Sequence, residues 1–198
     1  MKLVLASGNA GKLRELRELL AGAGFELHAQ SEFGVGDIDE TGLTFVENAL
    51  LKARHAARAT GLPALADDSG LCVDALGGAP GLRSARYAGV HGDSRANIAR
   101  LLDALRDVPD ERRTAHFHAA IVLLRHPDDP RPLIAEGSWH GRILPAPRGE
   151  AGFGYDPVFF DPVLGCGAAE LDQATKNRVS HRGQALARLR ALLQGRRV

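Results

Sequence analysis

The chain begins with the stretch KLVLASGNAGK, residues 2–12, in which a short apolar run leads into a glycine-containing turn. The apolar run over residues 2–6 predicts a buried strand. After the turn, leucines recur at helical spacing and predict a helix over residues 11–22. Residues 25–29 predict a second strand. A strand, a glycine turn, a helix and another strand, in this order, indicate an α/β fold.

The rest of the chain continues this alternation of strands and helices. Thr44 and Glu47 fit a capping box at the start of a helix. Helix-connected strands together with a central hairpin predict a mixed, twisted sheet with flanking helices. The further predicted elements are a helix over 44–60, a short strand over 64–66, a helix over 94–106, strands over 115–124 and 133–144, and a last helix that starts at Ser180.

Composition narrows the classes of protein that the chain can belong to. Its 198 residues fit one domain, residues 1–198, with 44% hydrophobic and 25% charged residues. Lys and Arg number 25 against 24 Asp and Glu, a balance that argues against a nucleic-acid or membrane-surface partner. No apolar stretch approaches the ~18 residues of a membrane span. Cys72 and Cys166 fit neither a disulfide framework nor a zinc pattern, so we expect a reducing, cytoplasmic location.

The turn over residues 7–12 is a candidate phosphate site. Its glycines let the backbone approach a ligand closely, the following helix N-terminus attracts anions, and Lys12 adds a positive charge. The turn is not a Walker A loop, because only two residues separate Gly8 from Gly11-Lys12 and Leu13 follows instead of Ser or Thr. An ordinary strand–helix turn is an equally good interpretation of this stretch alone.

The sequence DDSG, residues 67–70, follows the predicted strand over 64–66 and places two carboxylates side by side. Neighbouring strand residues point to opposite faces, so one aspartate can face a site while the other caps or pairs. Carboxylates at a strand end suit Mg²⁺, which takes one or two of them together with phosphate oxygens and water. The alternative is a polar turn, since Asp, Ser and Gly are common turn residues.

A second polar group precedes and enters the helix over 44–60. Asn48 and Lys52 are four residues apart and share one flank of this helix, and the acidic Glu40 lies just before it. The alternative interpretation of this group is a solvated helix face.

Two further stretches are suited to binding a planar ring. In GFGYDP, residues 152–157, aromatic side chains lie between glycines, where a ring can stack on a nucleobase or fill the space under a loop. Lys176 precedes SHRG, residues 180–183, where His181 and Arg182 lie at a helix N-terminus. Positive side chains at a helix N-terminus interact unfavourably with the helix dipole. Residues that lower helix stability without a local benefit indicate a ligand-binding role.

Together these stretches resemble the non-standard purine nucleoside triphosphate pyrophosphatases, the family of inosine triphosphatase and XTP/dITP diphosphatase. The matching segments occur in order and span nearly the whole chain. Ser7 stands where many relatives have Thr, which keeps the hydroxyl. The segments are ASGNAGK (6–12), ETGLTF (40–45), ENALLK (47–52), ADDSG (66–70), GGAPGLRSARY (77–87), GFGYDP (152–157) and SHRG (180–183).

The resemblance implies an activity and a set of partners. The implied enzyme cleaves purine nucleoside triphosphates such as ITP, dITP and XTP between the α- and β-phosphates, releases the monophosphate and pyrophosphate, and thereby cleanses the nucleotide pool. Mg²⁺ is its implied cofactor. The family fold has two lobes with a cleft between them and assembles as a homodimer, and residues 1–198 would form one such domain.

The resemblance also implies roles for individual residues. Asp68 is the implied catalytic carboxylate and, with Glu40, a Mg²⁺ ligand. Lys52 is expected to assist the phosphates, and Ser69 to lie near the substrate. The other implied substrate-binding residues are Ser7, Gly8, Asn9, Ala10, Gly11 and Lys12 at the phosphates, and Phe153, Gly154, Tyr155, Asp156, Lys176, His181 and Arg182 around the base.

Several alternatives stay open at this stage. Asp68 can act as a general base, as a metal ligand or as both. A phosphomonoesterase that uses Asp67 or Asp68 as a nucleophile would release orthophosphate instead of pyrophosphate. A nucleotide-binding regulator would bind the triphosphate and leave it intact. Incubation with a purine triphosphate distinguishes the three functions, because the pyrophosphatase releases pyrophosphate, the phosphomonoesterase releases orthophosphate and the regulator releases neither.

Overall fold

The structure, a computed structural model, describes residues 1–8, 10–20 and 24–195. These residues form a mixed α/β fold built on a seven-stranded sheet. The strands are β1 (Lys2–Leu5), β2 (Glu26–Ala29), β3 (Ala64–Val73), β4 (Thr114–Leu124), β5 (Leu133–Ile143), β6 (Phe159–Asp161) and β7 (Cys166–Gly167). The helices are α1 (Ala10–Leu20), α2 (Phe45–Thr60), α3 (Ser94–Ala104), α4 (Gln173–Val179) and α5 (His181–Gly195).

The sheet has the order β2-β1-β3-β4-β5-β6-β7. β1 pairs in parallel with β2 and with β3, whereas β6 pairs antiparallel with β5 and with β7. The sheet is therefore mixed, and the predicted fold class is confirmed. β4 and β5, predicted as a hairpin, are neighbours in the sheet. The chain divides into two compact units, and the predicted cleft stays a prediction.

The first unit comprises Met1–Asp68, Ala119–Gly137 and the chain from Arg182 onward. Alternating residues of its strands enter two different cores. Leu3 and Leu5 of β1 pack in one core with leucines of α1 and α5, whereas Val4 packs in the other with alanines of α2. The sheet in this unit therefore has a helix layer on each face.

The second unit comprises Ser69–His118 and Ser138–His181. Its core contains Leu71 and Val73 of β3, Phe117 of β4 and Trp139 of β5. The buried Trp139 indole donates a hydrogen bond from Nε1 to Asp161 Oδ2 at 2.7 Å, which satisfies its only polar atom. This core supports the loop that carries the predicted aromatic site residues.

The third strand is longer than its predicted range of 64–66. β3 continues through Asp67, Asp68, Ser69 and Gly70 to Val73, so the two aspartates lie within a strand and not in a turn after it. The local preference of Asp, Ser and Gly for turns is overridden because β3 is an inner strand of the sheet and cations compensate both carboxylates.

The second helix agrees with its prediction. Thr44 is its N-cap and accepts a hydrogen bond from the Glu47 amide, while the Glu47 carboxylate accepts from the Thr44 hydroxyl and from the Leu43 amide. The helix ends at Thr60, where Gly61 adopts a positive φ of 69°. Within the described part of the chain, no helix is long and apolar enough to cross a membrane.

Candidate active site

Asp67 and Asp68 lie on opposite faces of β3, as strand geometry requires. Leu65, two residues before Asp67, packs in the core that α1 and α5 cover. Ala66, two residues before Asp68, packs in the core that α2 covers. Asp67 therefore faces α1 and α5, and Asp68 faces α2. The sequence-based expectation that the two side chains point to opposite sides of the strand is confirmed.

On the α2 side, three predicted site residues meet. Lys52 of α2 donates from Nζ to Glu40 Oε1 at 2.8 Å and to Asp68 Oδ1 at 2.6 Å. The same ammonium donates to the backbone carbonyl of Asp67 at 3.1 Å. Burial raises the pKa of the Asp68 carboxyl above its ordinary value, although Lys52 opposes this shift. Burial also opposes the charge on Lys52, but Asp68 and Glu40 outweigh it and raise the pKa of Lys52.

The segment that carries Glu40 is held against the start of α2 by a buried amide. Asn48, which is 1% exposed, accepts a hydrogen bond at Oδ1 from the Gly42 amide at 2.8 Å. A Cβ at Gly42 would lie 2.7 Å from this Oδ1, so the approach requires glycine. Asn48 thus positions the backbone two residues from Glu40, and the flank that it shares with Lys52 is buried at this point rather than solvated.

On the other face of β3, cations surround Asp67. Lys12 Nζ lies 3.3 Å from Asp67 Oδ2, and Arg182 Nε donates to the same oxygen at 2.9 Å. Arg182 Nη1 donates in turn to Glu15 Oε2. Although burial opposes ionisation, Lys12 and Arg182 hold the pKa of Asp67 well below its ordinary value. Burial lowers the pKa of Lys12, with Asp67 opposing that shift.

Glu40 and Asp68 are the residues that could hold a divalent cation. Both contribute carboxylate oxygens, the ligand type that Mg²⁺ prefers, and both oxygens lie within hydrogen-bond distance of one ammonium. Among the residues that the structure describes, no group of three or more His, Cys, Asp or Glu residues could hold a metal ion. Two carboxylates without a third fit Mg²⁺, because phosphate oxygens and water complete its shell.

The predicted phosphate turn lies where the sequence indicated, between β1 and α1. Ser7 and Gly8 follow β1, while Ala10 and Gly11 begin α1. Asn9 lies outside the described residues. The turn therefore precedes a helix N-terminus that can bind an anion.

In the second unit, Asp156 organises the predicted base-binding loop. Its Oδ2 accepts from the Phe153 amide at 2.7 Å and from Lys176 Nζ at 2.6 Å. Lys176 Nζ also lies 5.1 Å from the centroid of the Phe153 ring. Gly152 has a φ of 82°, and a Cβ there would overlap the Asp156 carboxylate. Phe153 itself is 37% exposed, so its ring is accessible for stacking.

The other residues predicted in this unit have different surroundings. Tyr155 lies in the core, and its hydroxyl donates to the Ser84 carbonyl at 2.8 Å, so its side chain anchors the loop from below. Gly154 adopts a positive φ of 63°.

His181 is buried and stacks on Phe117 with ring centroids 4.9 Å apart. Ser69 is half-buried in β3, next to Asp68.

Glu15 is a site residue that the sequence did not predict. It lies three residues after Lys12 on α1, beside the buried Leu16, and is itself 8% exposed. A glutamate next to the apolar stripe of a helix is a weak signal, because most such residues reach solvent. The hydrogen bond that the Glu15 carboxylate accepts from Arg182 is visible only in the tertiary structure, and it is this bond that connects Glu15 to the site.

The chain belongs to the Ham1 family, whose model matches residues 3–192. A dITP/XTP pyrophosphatase of Xanthomonas campestris pv. campestris (strain 8004) is 70% identical over 187 residues, covering 94% of this chain and 94% of that protein. A dITP/XTP pyrophosphatase of Thioalkalivibrio sulfidiphilus is 61% identical, covering 99% of this chain and 100% of that protein. A solved HAM1 protein from Coxiella burnetii superposes with a TM-score of 0.92 at 52% identity and covers 99% and 100% of the two chains. The family resemblance predicted from the motifs is confirmed.

Proposed function

We propose that this protein hydrolyses ITP, dITP and XTP to the nucleoside monophosphate and pyrophosphate, and so removes non-standard purines from the nucleotide pool. The observation that carries the proposal is the convergence of Glu40 and Asp68 on Lys52 Nζ in a chain of the Ham1 family. Relatives that are 61–70% identical over most of the chain are named dITP/XTP pyrophosphatases. An acid-anhydride hydrolase needs carboxylates for a metal or a proton and cations for the phosphates, and this cluster contains both.

Glu40 and Asp68 would hold Mg²⁺. When bound, Mg²⁺ neutralises phosphate charge and polarises the bond that is broken. Asn48 keeps the segment of Glu40 against α2, and β3 fixes Asp68, so both carboxylates come from ordered parts of the fold. Such preorganisation reduces the cost of assembling the site when substrate arrives.

Lys12 and Lys52 are the cations for the triphosphate, which carries about four negative charges. The turn over residues 7–12 adds backbone amides at the N-terminus of α1. Both ammonium groups donate to the Asp67 carbonyl, Lys12 at 3.3 Å and Lys52 at 3.1 Å, so β3 is a common anchor for them. We assign the phosphates to these residues of the first unit.

Asp68 is the group that we assign to proton transfer. Burial makes its carboxylate a better proton acceptor by raising its pKa, while Lys52 favours the ionised form that can accept a proton. Asp67 is excluded from this role because its side chain is fully buried on the opposite face and its pKa is lowered. The carboxylate that takes the proton is therefore the one on the α2 face.

Base recognition is assigned to Phe153, Lys176, His181 and Arg182. Hypoxanthine and xanthine have an oxygen at C6, where adenine has an amino group. Lys176 and Arg182 only donate hydrogen bonds, so they favour the oxygen and leave a donor unpaired against adenine. A buried unpaired donor costs about 1–3 kcal/mol. Phe153 stacks on any purine and contributes affinity without selectivity.

We propose a homodimer in the cytoplasm in which residues 1–198 act as one functional domain. Cys72 and Cys166 are both free, which is typical of a reducing compartment. Light scattering coupled to size-exclusion chromatography measures the oligomeric state directly.

The test of the proposed function is the identity of the products. We expect ITP with Mg²⁺ to give IMP and pyrophosphate in equal amounts, measured by phosphorus NMR, with ATP as the matched control substrate that reacts far more slowly. Orthophosphate as the direct product would indicate the phosphomonoesterase. Intact ITP, bound but not cleaved, would indicate the regulator. Full activity in excess EDTA would contradict the assignment of Glu40 and Asp68 to a metal.

A further inference from the structure

Four charged side chains form a connected series of ion pairs in the first unit. Lys12 and Glu15 lie three residues apart on α1, Asp67 lies on β3 and Arg182 lies on the first turn of α5. Lys12 Nζ is 3.3 Å and Arg182 Nε 2.9 Å from Asp67 Oδ2, and Arg182 Nη1 donates to Glu15. The signs alternate along this series, in the order Lys12, Asp67, Arg182 and Glu15. Glu15, Asp67 and Arg182 are 8%, 1% and 3% exposed.

The two carboxylates of this series have no role in attracting a triphosphate. Each lowers the positive potential that Lys12 and Arg182 would otherwise offer to an anion. Buried ion pairs also add little to stability compared with apolar side chains of the same size. What Asp67 and Glu15 contribute is a fixed position for two long side chains that otherwise have many rotamers.

We propose that Asp67 is a positioning residue that holds Lys12 and Arg182 in the arrangement the reaction needs, with Glu15 as the second anchor of Arg182. This inference rests on the proposed function and extends it to two carboxylates to which the family resemblance gave no role. Asp67 acts through its neighbours and is not itself the proton acceptor, because both cations share its Oδ2 and its side chain has no exposed surface.

The proposal predicts a split between binding and turnover. Asp67→Asn keeps the shape of the side chain and one acceptor for Arg182 but removes the charge that holds Lys12. We expect kcat for ITP to fall about 10–50-fold, since displacing a binding group by an ångström can cost about 10²-fold. We expect the affinity for inorganic pyrophosphate, measured by titration calorimetry, to stay equal or to increase, because a negative charge has left the site.

A double-mutant cycle tests whether Asp67 acts through Lys12. In a Lys12→Met background, Asp67→Asn should change kcat by less than about threefold, since Lys12 is already absent and the Asn side chain keeps an acceptor for Arg182. Glu15→Gln, at a less buried position, should also lower kcat, by a smaller factor than Asp67→Asn. This variant tests the proposal if Asp67→Asn fails to fold.

A matched control is Asp129→Asn. Asp129 is also 1% exposed and is bound by Arg125 through two hydrogen bonds of 2.7 and 2.8 Å, at the turn between β4 and β5. Its loss should lower the melting temperature and leave kcat unchanged. If Asp67→Asn behaves like Asp129→Asn, with a lower melting temperature and an unchanged kcat, the positioning role is wrong.

Two more results overturn the proposal. One is an effect of Asp67→Asn on kcat that is as large with Met at position 12 as with Lys12. The other is a tenfold loss of pyrophosphate affinity in Asp67→Asn. Failure of the proposed function is distinguishable from these results, because wild-type protein would then release no pyrophosphate from ITP. That result would overturn both the proposed function and the positioning role of Asp67.

Discussion

The substitution Asp68→Asn removes one negative charge from the α2 face of β3 and keeps the shape of the side chain. Asp68 is 7% exposed, and its Oδ1 accepts from Lys52 Nζ at 2.6 Å. The amide oxygen of Asn can still accept this hydrogen bond. It cannot take a proton from water, and it is a poor ligand for Mg²⁺. The substitution therefore separates the chemistry of Asp68 from its packing.

The expected loss of turnover is large. Removal of a general base typically costs about 10²–10⁴-fold, which corresponds to about 3–5 kcal/mol of transition-state stabilisation. The expected change in stability is small. A hydrogen bond between charged groups contributes about 1.5–3 kcal/mol, but the variant no longer buries a carboxylate, and these two effects oppose each other. We expect a net change within about 1 kcal/mol, or about 2–4 °C in melting temperature.

The assay is pyrophosphate release from ITP at saturating Mg²⁺, with thermal unfolding of the same samples as the measure of folding. We expect kcat near the detection limit in a protein that melts within a few degrees of wild type. The reasoning is refuted if Asp68→Asn keeps more than about a third of wild-type kcat. It is also refuted if Asp67→Asn loses more turnover than Asp68→Asn, because the carboxylate on the other face would then be the reacting one.

Three further predictions address the base and the buried carboxylate. Phe153→Ala should lower kcat/KM about tenfold for both ITP and ATP, since stacking contributes about 1–3 kcal/mol for any base. A change in the ratio of kcat/KM for ITP to kcat/KM for ATP would contradict this prediction. Arg182→Ala should narrow the ITP/ATP ratio of kcat/KM by about tenfold, and an unchanged ratio would move base reading elsewhere, to the backbone of residues 152–156. The lowered pKa of Asp67 means that its contribution to stability is present above its ordinary pKa and is lost as the pH falls below it. The difference in unfolding free energy between wild type and Asp67→Asn, from urea titrations, should therefore shrink from neutral pH to about pH 3, and a constant difference would show that the charge does not matter.

Local sequence patterns predicted the elements that local interactions specify. The first two strands and the start of the first helix were predicted to within one residue, because their apolar residues recur at the strand and helix periods. Residues 21 and 22 of the predicted helix lie outside the described residues. The start of α2 was predicted from Thr44 and Glu47, whose hydrogen bonds span only three residues. The last helix shows the limit of periodicity, because Leu186 and Leu189 are buried whereas Leu192, which follows at the same helical spacing, is 40% exposed near the end of the helix.

The family was also predictable from the sequence, because seven short segments in order are specific even though each is weak alone. The extent of β3 was not predictable in this way. Its aspartates are compensated by side chains from α1, α2 and α5, up to 115 residues away along the chain, and no local pattern contains those partners. A polar turn, the alternative interpretation of DDSG, is wrong.

The sequence by itself determined which residue types were available for the chemistry: the glycine turn, the two lysines, the paired aspartates and the SHRG segment. The period of two along a strand further required that Asp67 and Asp68 face opposite ways. Only the tertiary structure decided which aspartate faces which helices. That assignment depends on which face of the sheet α1, α2 and α5 cover, so Lys52 and Glu40 meet Asp68, whereas Lys12 and Arg182 meet Asp67.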